Sequence, residues 1–145
     1  MPTKIRPETS KKNTYYISKH RYYELKHFTQ QYPEWKQYLK DFEGRYPNSL
    51  KLEALMTDTP VYRCDPTVEE VETREYLQSK IRQVDRCLEL AFDELDKQYR
   101  SYILEAVTHG QSYDWLLANY VIPFSREYYY KRYRKFYWLL SMARK

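Results

Sequence analysis

Seven cations fall in the last twenty-three positions of the chain (Arg126, Lys131, Arg132, Arg134, Lys135, Arg144 and Lys145), against the single acid Glu127. They are interleaved with Tyr128, Tyr129, Tyr130, Tyr133, Phe136, Tyr137 and Trp138. A guanidinium or ammonium group neutralises phosphate, and a guanidinium also matches the two acceptors of guanine. A carboxylate accepts from the amino group of cytosine, and a phenol donates to phosphate or touches a thymine methyl. Such a set recognises a polyanion and makes or breaks no bond. Groups for catalysis or metal binding are poorly represented. His20, His27 and His109 form no HExxH pattern, and Cys64 and Cys87 lie 23 residues apart with no CxxC or Cys–His spacing. There is no Gly-rich phosphate loop and no nucleophile–base pair. Asp93, Glu94 and Asp96 cluster at a predicted helix junction, where they read as solvated caps. The expectation is a protein that is not an enzyme, with no cofactor and no bound metal.

Helical periodicity shows what would position these groups. Tyr99, Ile103, Ala106 and Val107 face inward on one helix that stops at His109-Gly110. Ser112 caps the next, whose inward face is Tyr113, Leu116, Leu117 and Tyr120. Val121-Ile122-Pro123-Phe124 makes the turn, with Ile122 as its apolar plug. Ser125 caps a final helix whose inward stripe is Tyr129, Tyr133, Phe136 and Leu140. Arg126, Glu127, Tyr130, Lys131, Arg134 and Lys135 are left facing outward. This is the pattern of a helix-turn-helix whose last helix enters a DNA major groove. The helix starts at Ser112 and Ser125 add N–H groups for phosphate oxygens. The predicted DNA contacts are therefore Ser112, Ser125, Arg126, Glu127, Tyr128, Tyr130, Lys131, Arg134 and Lys135. A merely solvated basic face and a membrane-surface helix are the competing readings; the two caps and the turn spacing favour DNA.

The remainder of the 145 residues reads as all-α. Residues 1–14 are a polar, basic arm expected to be disordered. Residues 15–44 form an aromatic helical hairpin: Tyr22, Leu25, Phe28 and Tyr32 line its first helix, and Trp35, Tyr38, Leu39 and Phe42 its second, which Gly44 stops. Residues 45–65 are a linker with a helical turn around Leu50–Met56. A long central helix spans 66–94, opened by the cap, proline and acids of Asp65-Pro66-Thr67 and Glu69. Its seam of Leu77, Ile81, Val84, Leu88, Ala91 or Phe92, and Leu95 packs on the other helices or forms a homodimer contact. Residues 95–145 are the helix-turn-helix domain. Of the net charge of +5, residues 1–21 carry +5, residues 123–145 carry +6 and the middle carries −6, so two basic ends flank an acidic body. Two scattered cysteines suit a reducing cytoplasm. No signal-type core opens the chain, and no apolar run is long enough to span a membrane.

The stretch Leu95–Met142 resembles region four of bacterial sigma factors and phage late-gene regulators of the RinA/ArpU type. The resemblance rests on Gly110-x-Ser112-Tyr113, the pair Leu116-Leu117, Ile122 before the end of the turn, the Ser125 cap and the long basic helix. It implies a DNA-binding transcriptional regulator of a phage or mobile element, an activator more than a free-standing sigma factor. Ser125–Lys135 would read the major groove of double-stranded DNA, with RNA polymerase as a partner and the bacterial cytoplasm or nucleoid as its place. Pro123 in the turn, and tyrosines at 128 and 129 where the pattern carries smaller residues, depart from that family. The alternative is a protein-interaction module, an anti-activator or phage adaptor, that uses the same fold without DNA.

Overall fold

A computed structural model of the chain describes residues 12, 14–46 and 65–145. The expected basic arm over 1–14, most of the linker and the helical turn at Leu50–Met56 lie outside those residues. Every regular element among the described residues is helical. In chain order these are α1 (Lys19–Gln30), α2 (Tyr32–Arg45), α3 (Val68–Ala91), a 3-10 turn (Lys97–Tyr99), α4 (Arg100–Thr108), α5 (Tyr113–Asn119) and α6 (Arg126–Ala143). The chain divides into two compact units, one of Met1–Pro33 with Arg82–Lys145, the other of Glu34–Ile81.

In the first unit α1 packs on α4 and α6. Tyr22, Leu25, Phe28 and Thr29 are its buried side. The Ser18 hydroxyl starts the helix by accepting from the Arg21 amide at 3.3 Å. On α6 the buried side chains are Tyr129, Tyr133, Phe136, Tyr137 and Leu140. Each such side chain contributes about 1.5–3 kcal/mol, whereas an exposed ion pair adds about 0–1 kcal/mol. Burial of the aromatic stripe therefore decides where α6 sits. Two pairs of hydroxyls inside that layer are bonded to each other: Tyr22 to Tyr133 at 2.6 Å, and Thr29 to Tyr137 at 3.1 Å.

Two arginines tie the ends of helices. Arg21 donates from Nη2 to the carbonyls of Ser141 (3.1 Å) and Arg144 (2.7 Å), satisfying groups that the end of α6 leaves over. Arg132 donates to the Ala91 carbonyl at the end of α3 (3.1 Å) and to the carboxylates of Asp93 (3.1 Å) and Asp96 (2.8 Å). Its guanidinium lies 5.2 Å from the Tyr128 ring centre, and its side chain is 12 % exposed. The acids at 93 and 96 thus hold Arg132, where the sequence suggested only solvated caps.

Gly110 sits at φ +65, the left-handed conformation that favours glycine. The Gly110 amide donates to Val107 and the Gln111 amide to Ala106 at 2.8 Å, the paired bonds of a Schellman stop. A Cβ at Gly110 would come within 2.7 Å of Gln30 Nε2, so the turn also lies close against the end of α1.

Several sequence expectations are corrected. The central helix ends at Ala91 instead of running to 94, and Leu95 leaves the seam to stand 87 % exposed. Thr67, not Asp65, closes its start: the Thr67 hydroxyl accepts from the Glu70 amide at 3.1 Å. Gly44 lies inside α2, which ends one residue later. Leu117 and Tyr120, expected inward on α5, are exposed, because seven residues make less than two full turns and only Tyr113 and Leu116 reach the core. In the turn Ile122 is half-buried as expected and Phe124 is half-buried with it; the Phe124 ring lies 5.3 Å from both Tyr99 and Tyr128 and 5.8 Å from Tyr102. The Tyr113 hydroxyl fixes that loop by donating to the Phe124 carbonyl at 2.7 Å.

The second unit contains Glu34–Arg45 of α2 and Val68–Ile81 of α3. Trp35 and Phe42 are buried. The Arg74 guanidinium lies 5.0 Å from the Phe42 ring centre and the Lys80 ammonium 5.4 Å from that of Trp35. The Tyr46 hydroxyl donates to Glu70 at 2.7 Å, which lowers the pKa of that carboxyl.

Candidate nucleic-acid interface

Within the first unit a cleft of about 580 Å³ opens between α1, the α4–α5 turn and the first half of α6. Lys26 comes from α1, Gly110, Gln111 and Ser112 from the turn, and Arg126, Glu127, Tyr130 and Arg134 from α6. Tyr22, Tyr129, Tyr133 and Tyr137 also line it. Burial pushes the phenol of Tyr133 well above its ordinary value, with the neighbouring Tyr137 and Tyr22 adding to the shift. That wall therefore stays neutral and brings no negative charge to the cleft.

The nine residues picked from the sequence divide into three groups. Ser112 and Ser125 are exposed N-caps whose hydroxyls accept from the amides of Trp115 (3.3 Å) and Tyr128 (3.2 Å). Arg126, Glu127 and Lys131 are exposed on α6, and Tyr130, Arg134 and Lys135 are half-buried on the same helix. Tyr128 is turned into the core, which corrects its reading as a contact residue. It packs against Phe92, Tyr99 and Phe124 and its hydroxyl is buried. Burial pushes its phenol up to about 12, and the Asp96 carboxylate adds to the shift.

The cations sort by whether an acid holds them. Arg21 pairs with Glu24, Arg100 with Glu89, and Arg132 with Asp93 and Asp96. Arg126 pairs with Asp114 on α5, which raises the guanidinium's pKa further, and it lies 5.3 Å from the Tyr113 ring centre. Lys131, Arg134 and Lys135 have no ion pair among the described residues, nor does Lys26. Glu24, Glu89, Asp93 and Asp96 of this unit are thus used on structural arginines, and Asp114 on Arg126. Of the other cations of α6, Lys131 is exposed and Arg134 and Lys135 are half-buried.

No protein-family model matches the chain, and no curated protein or solved structure matches it.

Among the described residues no group of three His, Cys, Asp or Glu side chains is placed to hold a metal ion. No described helix is long and apolar enough to cross a membrane. Burial raises the Cys87 thiol, the opposite of what a reactive thiolate needs. Sequence reasoning missed Lys26 altogether. It follows Tyr22 by one helical turn, but periodicity says nothing about which distant helix that face of α1 meets.

Proposed function

We propose that the protein is a sequence-specific DNA-binding transcriptional regulator. In this reading α4, α5 and α6 act as a helix-turn-helix, and α6 lies in the major groove. The observation that carries it is the set of cations on α6: among the described residues Lys131, Arg134 and Lys135 make no ion pair, while Arg132 on the same helix is held by two acids. A helix whose structural cation is neutralised and whose remaining cations are not suits phosphate contact. Arg126 and Glu127, on the first turn of α6, are the base-reading pair, and Tyr130 stands one turn further along. By its likeness to phage late-gene regulators the protein would act as an activator in a phage or mobile element, with RNA polymerase as its partner. A homodimer through α3 would set half-sites about one helical turn apart.

The test is duplex binding followed by fluorescence anisotropy across a salt series. About four phosphate contacts give a log–log slope on the order of −4. Lys131→Ala and Lys135→Ala should each flatten it by about one. Affinity that ignores salt would refute the proposal.

A second reading has its own support. Leu117, Tyr120 and Val121 are exposed in sequence proximity, Val121 at 93 %. An interaction module would use this α5 edge to grip another protein. Light scattering on the chain alone shows whether the edge drives self-association.

A further inference from the structure

The cleft between α1 and α6 is not part of a simple recognition-helix scheme, in which α6 alone would carry the phosphate contacts. We propose that this cleft seats a phosphate group, gripped from one side by Lys26 of α1 and from the other by Arg134 of α6. Both side chains line the cleft, both are half-buried, and neither has an ion pair among the described residues. Glu127 is the only carboxylate in the lining, against Lys26, Arg126 and Arg134. Half-burying two cations in the lining of one cleft is unfavourable without an anion, and an anion with several acceptor oxygens relieves it best. The rest of the wall supplies donors of matching kind, the hydroxyls of Ser112 and Tyr130 and neutral phenols behind them. A volume of about 580 Å³ lies within the range of small-ligand sites, so it has room for more than a bare ion.

Two sources of phosphate satisfy this chemistry. One is a backbone phosphate of bound DNA, which makes α1 part of the DNA surface; this form rests on the proposed function. The other is the phosphate of a free nucleotide, held between Lys26 and Arg134. That form stands without the DNA reading.

The experiment uses the full chain with Lys26→Gln, Arg134→Gln and, as a charge control on the other unit, Lys40→Gln. Each is checked for native helicity by circular dichroism. Two probes are titrated: a short duplex across a salt series, and adenosine 5′-monophosphate followed by nuclear magnetic resonance. A duplex slope flattened by about one in K26Q and in R134Q, but not in K40Q, assigns the backbone source. Monophosphate binding by the native chain that is lost in K26Q and R134Q, but kept in K40Q, assigns the free source. If K26Q and R134Q follow the native chain and K40Q with both probes, the cleft proposal is overturned. In that case a duplex slope still flattened by Lys131→Ala and Lys135→Ala would leave the regulator reading standing on those two contacts, without Arg134. If the native chain binds no duplex, the regulator reading falls and the monophosphate arm alone decides the cleft.

Discussion

The hydroxyls of Tyr22 and Tyr133 meet at 2.6 Å inside the protein, joining α1 to α6 across 111 residues of chain. Their rings also meet edge-on, at 6.5 Å between centres. The N-terminal helix is therefore built into the same body as the basic C-terminal helix. Any account of what α6 does must include the helix that braces it.

That bond predicts a non-additive pair of mutations. Tyr22→Phe or Tyr133→Phe leaves one buried hydroxyl short of this partner and should cost about 1–3 kcal/mol. The double variant removes both hydroxyls and should cost less than the sum of the two. Urea denaturation of the four proteins of the cycle measures the coupling.

Alkaline pH should unfold the protein early. The unfolded chain ionises its tyrosines at about pH 10. The folded chain keeps Tyr128 protonated up to about 12 and holds Tyr133 well above its ordinary value, through burial in both cases. Between about pH 10 and 12 the folded state thus binds more protons than the unfolded one, and stability falls as pH rises. Below about pH 9 these phenols add no pH dependence. Thermal melts in alkaline buffers, with phenolate absorbance followed in parallel, give the comparison. A melting temperature unchanged across that window would contradict the buried assignments.

Gly110→Ala should destabilise the protein. The left-handed φ and the close approach to Gln30 both oppose a side chain there. The conformational part alone is about 1 kcal/mol. Because Gln30 ends α1, loss of amide protection should extend from the α4–α5 turn into α1, which hydrogen exchange can follow. A variant as stable as the native chain would mean that the turn relaxes at no cost.

Arg132→Met keeps much of the stem but removes the clamp on Ala91, Asp93 and Asp96. The charge-assisted bonds of a mostly buried guanidinium suggest a loss of about 1.5–3 kcal/mol. Duplex affinity measured well below the melting transition should barely change, because Arg132 faces the body of the protein. By contrast, Asp114→Asn leaves the fold intact and releases Arg126 from its carboxylate. It should strengthen duplex binding, and weaker binding in that variant would mean that the pair itself positions Arg126.

Local signals on the chain were readable in advance. Ser18, Ser112 and Ser125 each precede a helix and cap it, Gly110 takes the positive φ, and the Tyr129–Leu140 stripe is the buried face of α6. Each depends on a few neighbouring residues, so periodicity and capping chemistry carry the information. What was not readable depends on partners far along the chain. Tyr137 adds to the buried stripe because the hydroxyl of Thr29 on α1 meets it. Tyr128 turns inward because Phe92, Tyr99 and Phe124 build a slot for it. Lys26 reaches the cleft because α1 packs on α4 and α6. The helix starts and stops follow from local sequence, while the membership of the site follows from which helices meet.

The central claim, sequence-specific reading of duplex DNA by α6, is tested most directly by selecting bound duplexes from a random pool at moderate salt and sequencing them. The account predicts an enriched motif that loses preference at one base in Arg126→Ala and keeps it, with weaker retention, in Lys131→Ala. Retention of the pool without enrichment, or no retention, would contradict it.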